Sequence, residues 1–163
     1  MPRVESTVTI DAPIEQVFAL SQSQGELRYR WDPFVKSQRL LDGADVPAKG
    51  VRTLTRSRHG LRMVSEYQSL RPPSQVGMKM VEGPWFFENF AGGWSFKSVD
   101  RAQGEGEEQT VATWRYVFSC RPSWLQPIAH RIGTWYLGRD IDRRLASFAA
   151  AFDDPEVRAA LTT

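Results

Sequence analysis

The sequence has few of the residues that build disulfides or metal centres. Its one cysteine, Cys120, excludes an internal disulfide and any cysteine-based zinc cluster. Its two histidines, His59 and His130, have no second ligand at the spacing typical of a zinc site. A Gly-x-Ser-x-Gly nucleophile elbow, a P-loop and a dinucleotide-binding fingerprint are absent as well. We therefore expect neither a metal nor a cofactor.

An excess of one charge and long apolar runs are also lacking. The 21 basic and 19 acidic residues leave a formal net charge of +2, and the basic residues are scattered, so no nucleic-acid partner is expected. No apolar run approaches the ~20 residues that cross a bilayer. The opening residues MPRVESTV lack the apolar segment of a signal peptide, so we predict a cytoplasmic protein. We expect it to be either a monomer or a homodimer.

Aromatic residues, by contrast, are abundant. They make up 12% of the chain and include six Trp and nine Phe. A length of 163 residues suits one domain, residues 1–163, with a sizeable core. Packing in that core explains most of the rings. The alternative is that some of them line a pocket.

The segment TVTIDAPIEQVFALSQ, residues 7–22, changes its hydrophobic spacing from every second position to that of one helix face. This change predicts a strand that ends at Ile10 and a helix that begins at Pro13, with Asp11 as its N-cap. A second short helix is predicted around Glu26–Tyr29, after Gly25.

The middle of the chain is dominated by strand signals. Proline and glycine pairs separate alternating runs rich in β-branched and aromatic residues. The Gly92-Gly93 pair, inside the longest run, predicts a bulge or a strong bend. Six strands are predicted, over residues 34–41, 51–57, 61–70, 75–81, 86–99 and 110–120.

A long amphipathic helix is predicted to follow, capped by Ser123 and ending near Phe152. The arginines and aspartates of residues 139–144 are expected on its water-facing side. An antiparallel sheet of this size curls, and this helix is the element able to cover the concave face. A rod across a curved surface leaves space toward one end, so a pocket is expected there.

Two segments carry a resemblance to the START-like (SRPBCC) superfamily. VESTVTIDAPIEQVFAL, residues 4–20, is similar to the opening strand and "PxExVF" helix of its polyketide cyclase/dehydrase and lipid-transport family, which is related to the Bet v 1 proteins. RWDPFVKSQRLL, residues 30–41, is similar to the Trp-x-Pro-x-Val step into its second strand. The resemblance implies an α+β helix-grip fold: a curved antiparallel sheet of six or seven strands around a long C-terminal helix, with two short helices after strand 1.

Strand and helix phase indicate which side chains face the expected pocket. The alternative is that these residues only pack beneath the long helix. The predicted ligand-binding residues are Trp31, Met63, Met78, Met80, Phe86, Phe90, Trp94, Phe96, Trp114, Tyr116, Phe118, Ile132 and Trp135.

Two polar residues are candidates for catalysis. Glu88 lies among apolar neighbours, and its burial would raise its pKa and make it a general acid or base. Tyr67, on the face of its strand that carries Met63, would orient a substrate carbonyl or hydroxyl. The alternative is an outward-facing Glu88 paired with an arginine.

Three functions remain open from the sequence. The first is the binding of a hydrophobic small molecule, either a lipid or a polyketide-like aromatic, in an internal cavity. The second is enzymatic: a polyketide cyclase, aromatase or dehydratase that uses Glu88, Tyr67 and Trp31. The third is a protein-interaction module whose partner surface is formed by exposed rings of SWLQPIAHRIGTWYL, residues 123–137.

Overall fold

A curled, seven-stranded antiparallel sheet forms the body of the protein, and a long helix lies against it. The computed structural model describes residues 1–99 and 108–163. Within these residues the elements are β1 (Arg3–Ile10), α1 (Ile14–Ser21), α2 (Glu26–Trp31), β2 (Val35–Leu40), β3 (Arg52–Ser57), β4 (Arg62–Arg71), β5 (Gln75–Glu82), β6 (Phe87–Val99), β7 (Gln109–Cys120), a 3₁₀ turn (Ser123–Leu125), α3 (Gln126–Ala151) and α4 (Pro155–Thr162).

The strands follow one another across the sheet, except that β1 pairs with the last strand. The order is β1-β7-β6-β5-β4-β3-β2, and all the pairs are antiparallel. In the β1–β7 pair, Val4 lies opposite Tyr116 and Ile10 opposite Thr110. The predicted helix-grip fold is confirmed. Helix α4, which the sequence analysis did not predict, begins after Asp154, whose side chain accepts the Glu156 N–H.

Both predicted helix caps were wrong. Pro13 occupies the N-cap position of α1 without a side-chain hydrogen bond, and the Asp11 carboxylate accepts from the Gln109 side chain instead. Leu125 precedes α3, also without a side-chain cap, because the 3₁₀ turn that contains Ser123 intervenes. The Asp11–Gln109 bond therefore joins the β1–α1 connection to the start of β7.

Helix α3 packs most closely on β1 and β7, toward one edge of the sheet. Its buried face begins at Leu137 and continues through Ile141, Leu145 and Phe148. The apolar residues of its first half do not follow this pattern, since Ile128, Ile132 and Trp135 are each about 60% exposed (60%, 61% and 62%). The long apolar stripe therefore reaches the core only in the second half of the helix.

Gly133 lies where α3 approaches β7 most tightly. A Cβ added at Gly133 would lie 2.6 Å from the ring of Phe118, which is fully buried. A Cβ added at Gly138, five residues later on the same helix, would meet nothing within 4 Å. Packing therefore requires a glycine at position 133 but not at position 138.

We predict that Gly133→Ala destabilises the protein and that Gly138→Ala does not. Overpacking against the immobile Phe118 ring costs about 1–3 kcal/mol, which exceeds the ~1 kcal/mol that alanine gains over glycine in a helix. At Gly138 only the gain applies, so stability rises by roughly 0.5–1 kcal/mol. Urea unfolding of both variants measures the difference, and equal effects at the two positions would contradict the packing argument.

Candidate functional site: an internal cavity

A cavity of about 540 Å³ lies between the sheet and α3. This volume is typical of small-molecule sites, which range over about 300–1,000 Å³. Strands β3, β4 and β5 supply much of its wall, and the first half of α3 supplies another part. Because α3 packs most closely on β1 and β7, the space over the neighbouring strands is left open.

Most of the predicted pocket residues do line this cavity. Alternation along β5 places Met78 and Met80 in the lining. Val81, the residue after Met80, is not in the lining and is 49% exposed. On β4 the same alternation puts Met63, Ser65 and Tyr67 in the wall. The predicted residues that line the cavity are Met63, Tyr67, Met78, Met80, Phe86, Phe90, Trp94, Trp114, Tyr116 and Ile132.

Four predicted ligand-binding residues lie outside the lining. Trp31 is buried: its ring packs 4.9 Å from that of Phe148, and its indole N–H donates to Ser23. Phe96 and Phe118 belong to the packed core. Trp135 is exposed, with the Arg139 guanidinium 5.2 Å from its ring centre. Trp31, Phe96 and Phe118 follow the packing alternative, whereas Trp135 follows neither interpretation because its side chain is exposed to solvent.

The structure also places Glu88 outside the cavity. The β6–β7 register shifts between Phe87 and Asn89, so strict alternation from Phe86 fails at this point. Glu88 is exposed and its carboxylate accepts a long hydrogen bond, 3.4 Å, from Ser119. The expected bulge or bend at Gly92-Gly93 is not a register shift, since pairing with β7 runs continuously through both glycines. The register shift lies instead near the start of β6, between Phe87 and Asn89.

Tyr67 is placed as expected. Its side chain is buried in the cavity wall, and its hydroxyl donates to the Gln22 side-chain oxygen at 3.1 Å. Burial raises the pKa of this phenol. Tyr67 is therefore a neutral hydroxyl at the cavity surface.

A buried charge cluster, Arg28–Asp32–Arg144, borders the cavity, and its two arginines belong to the lining. Arg144 was expected to face water, yet its side chain is 9% exposed. Its Nε and Nη2 donate to the two oxygens of Asp32 at 3.0 and 2.7 Å, and its Nη1 donates to the Tyr116 hydroxyl. The guanidinium also lies 4.2 Å from the centre of the Trp114 ring. The second arginine, Arg28, contacts Asp32 at 2.9 Å.

The cluster keeps its carboxylate ionised. Burial alone would raise the pKa of Asp32, but the Arg144 and Arg28 guanidinium groups outweigh it and lower the pKa to about 2. For Tyr116, burial raises the pKa well above the usual range. Asp140 lines the cavity 3.7 Å from Arg144, and burial raises its pKa. Sequence reasoning missed Arg28, Arg144 and Asp140 because charged residues are exposed by default.

Several large apolar side chains are exposed on the β5–β6 connection, on the 3₁₀ turn and on the first half of α3, and we call this set the aromatic rim. Ile132 and Tyr136 belong both to the rim and to the cavity lining. The interaction-module hypothesis depends on the exposed rings of residues 123–137 and stays a prediction. The rim consists of Trp85, Trp124, Ile128, Ile132, Trp135 and Tyr136.

Over residues 1–99 and 108–163, no cluster of three or more His, Cys, Asp or Glu side chains is arranged to hold a metal ion. No helix in the same residues is long and apolar enough to cross a membrane. The compartment, the oligomeric state and the lack of a nucleic-acid partner stay predictions from the sequence.

Comparison with known proteins agrees with this architecture. The profile of the polyketide cyclase/dehydrase and lipid transport family matches residues 1–153. The chain is a START-like helix-grip protein, and it belongs to this family. No curated protein matches it in a sequence search.

Solved structures share the fold at low sequence identity. XoxI from Bacillus cereus is similar with a TM-score of 0.72 and 16% identity, over 96% of this chain and 99% of that one. A START superfamily protein from Mycobacterium smegmatis has a TM-score of 0.69 and 13% identity, over 91% and 94%. The di-domain ARO/CYC BexL of the BE-7585A biosynthetic pathway has a TM-score of 0.61 and 18% identity, over 91% of this chain and 49% of that one.

We predict that Asp32 makes the protein sensitive to acid. The pKa of Asp32 is lowered in the folded state from 3.8 to about 2, so its stabilising effect is full above pH 3.8 and is lost as the pH falls toward 2. The loss amounts to roughly 2 kcal/mol. Urea unfolding between pH 5 and pH 2 measures it.

The variant Asp32→Asn isolates this contribution from those of other carboxylates. We expect it to be less stable than the wild type near neutral pH, by about 3–5 kcal/mol, because two buried guanidinium groups lose their counter-charge. The gap should narrow as the pH falls to 2. A gap that stays constant over this range would show that Asp32 is not the titrating group.

Proposed function

We propose that the protein binds a hydrophobic small molecule, a lipid or a polyketide-like aromatic, in the internal cavity. The observation that carries the proposal is the cavity itself, which remains open although large side chains of β4, β5, β6, β7 and α3 line it. Membership of the polyketide cyclase/dehydrase and lipid transport family supports the same function.

The lining suits an apolar guest. Three methionines, Met63, Met78 and Met80, present flexible and polarizable thioethers that adapt to an irregular shape. Phe86, Phe90 and other rings add flat surface for stacking. Each Å² of apolar surface that a ligand and this wall remove from water contributes about 25 cal/mol.

The exposure of two lining side chains indicates where a ligand would enter the cavity. Ile132 and Tyr136 of α3 line the cavity and are nevertheless 61% and 48% exposed. Pro84 and Phe86, both on the β5–β6 connection, line it as well. We therefore place the entrance between the first half of α3 and the β5–β6 connection, inside the aromatic rim.

Two neighbouring substitutions on β5 test the proposal. Met80→Trp adds a large ring to the cavity wall, whereas Val81→Trp adds the same ring to the exposed face of the same strand. We expect Met80→Trp to weaken binding of the neutral fluorophore N-phenyl-1-naphthylamine by about tenfold or more, since it fills the space that the ligand needs. Val81→Trp should bind like the wild type.

Fluorescence titration measures both affinities, and thermal unfolding checks that both variants are folded. Saturable binding that is equally strong in all three proteins would place the probe elsewhere, for example on the aromatic rim. No saturable binding by the wild type to this probe, to fatty acids or to flavonoids would overturn the proposal.

A second candidate function is a cyclase or dehydratase reaction in the same cavity. Asp140 favours it, because this carboxyl lines the cavity with a side chain only 16% exposed and with a raised pKa. A carboxyl of this kind is suited to move a proton to or from an enolisable substrate. Tyr67 would orient a substrate hydroxyl, because its own O–H already donates to Gln22 and its oxygen is left to accept. Glu88 is not included in this proposal, since it is exposed and does not line the cavity.

Asp140→Asn tests the enzymatic candidate. If the protein converts a β-polyketone thioester, we expect the variant to lose most of its turnover while N-phenyl-1-naphthylamine still binds, because the amide keeps the shape but not the proton transfer. Absorbance of the aromatised product measures turnover. Turnover unaltered by the substitution would remove Asp140 from the mechanism.

A further inference from the structure

Three buried polar atoms have no hydrogen-bond partner among the described residues, and all three belong to residues that line the cavity. They are Gln24 Oε1, Arg28 Nε and Thr53 Oγ1. Thr53 is 1% exposed and Arg28 7%. A buried polar group without a partner is costly, and nearly all such groups in proteins are satisfied. Their concentration in one cavity points to a guest with polar atoms.

Arg28 has a guanidinium nitrogen without any hydrogen-bond partner, whereas each of the three nitrogens of Arg144 has one. Its Nη1 donates to the Ser21 carbonyl at 2.8 Å and its Nη2 contacts Asp32 at 2.9 Å, which leaves Nε unused. In Arg144, by contrast, Nε, Nη1 and Nη2 all donate to Asp32 or Tyr116. Arg144 is therefore a structural residue, and Arg28 is the arginine able to bind a ligand.

The numbers of positive and negative charges in this cluster are also unequal. Arg28 and Arg144 face a single fully buried carboxylate, Asp32. The next carboxyl, Asp140, lies 3.7 Å from Arg144 and so serves that arginine rather than Arg28. A buried positive charge in excess favours an anion beside it. The missing partner of Arg28 Nε is therefore an acceptor with negative charge.

We propose that the cavity binds an amphipathic monocarboxylic acid whose carboxylate accepts hydrogen bonds from Arg28 Nε–H and from the Thr53 hydroxyl. This inference rests on the proposed function. The apolar body of the acid lies against the methionines and phenylalanines of β4, β5 and β6, where the lining is apolar. Gln24 Oε1, an acceptor, receives a hydroxyl or a water next to the carboxylate.

Competition against N-phenyl-1-naphthylamine tests the inference with two matched ligands, dodecanoic acid and methyl dodecanoate. The two share a chain and differ in the charge of the head. At neutral pH we expect the wild type to bind the acid about tenfold or more tightly than the ester, as a charge-assisted hydrogen bond in a buried site requires. Arg28→Met should abolish that preference and leave ester affinity within about threefold of the wild type.

Threonine variants keep the test independent of the charge cluster, since Arg28→Met leaves Asp32 with one partner fewer and can lower stability. Thr53→Val removes the unpartnered hydroxyl at nearly constant volume. Thr55→Val is the control, because the Thr55 hydroxyl lines the same cavity but already accepts from Gln38 at 2.9 Å. We expect Thr53→Val to weaken the acid by about three- to tenfold without changing the ester, and Thr55→Val to leave the acid-to-ester ratio unchanged.

The outcomes separate this inference from the proposed function. Equal affinity of the wild type for acid and ester would overturn the carboxylate site and leave hydrophobic binding intact. An acid preference that survives both Arg28→Met and Thr53→Val would also overturn it, since another cation would then hold the head. Failure of both ligands and of the fluorophore to bind would overturn the proposed function, and this inference with it.

Discussion

Asp32 carries a charge at a position that water does not reach, and Arg28 and Arg144 stabilise that charge in the folded protein. Asp32 follows α2, and its carboxylate also accepts the Phe34 N–H at 3.1 Å ahead of β2. Arg144 belongs to the second half of α3. One carboxylate thus fixes the start of the sheet's far edge relative to the long helix. Apolar contacts alone would hold the same surfaces together but would specify their relative position less strictly.

The same constraint accounts for the cavity. The second half of α3 is held by Arg144 and by the apolar face from Leu137 to Phe148, while its first half presents apolar side chains to the surface. Gly133 lets the helix approach Phe118 of β7. Beyond that contact the curled sheet bends away from the helix, and the space between them opens over β3, β4 and β5. The position of α3 that the charge cluster helps to fix is therefore also the position that leaves the cavity open.

The fold was predictable because local signals agreed along the chain, from the change of spacing at residues 7–22 to the alternation of β7. The cavity wall was predictable wherever alternation was undisturbed, as at Met78 and Met80. The predicted inward position of Glu88 was wrong because a register shift adds one residue to β6 at this point, and the composition of the segment does not indicate such a shift. Arg144 was predicted on the wrong face of α3, although its position in the helical spacing indicated burial. It completes the spacing Leu137, Ile141, Arg144, Phe148, and a helical residue on that line faces the core whatever its charge.

The six tryptophans fall into two equal groups. The buried group is Trp31, Trp94 and Trp114, and the solvent-exposed group is Trp85, Trp124 and Trp135. Trp94 and Trp114 stack with ring centres 4.3 Å apart, and both line the cavity. The molecule therefore contains its own optical probe: emission from the outer group responds to collisional quenchers in solution, while the coupled indoles inside respond to whatever occupies the space beside them. Occupancy can be followed by near-ultraviolet circular dichroism without attaching any label.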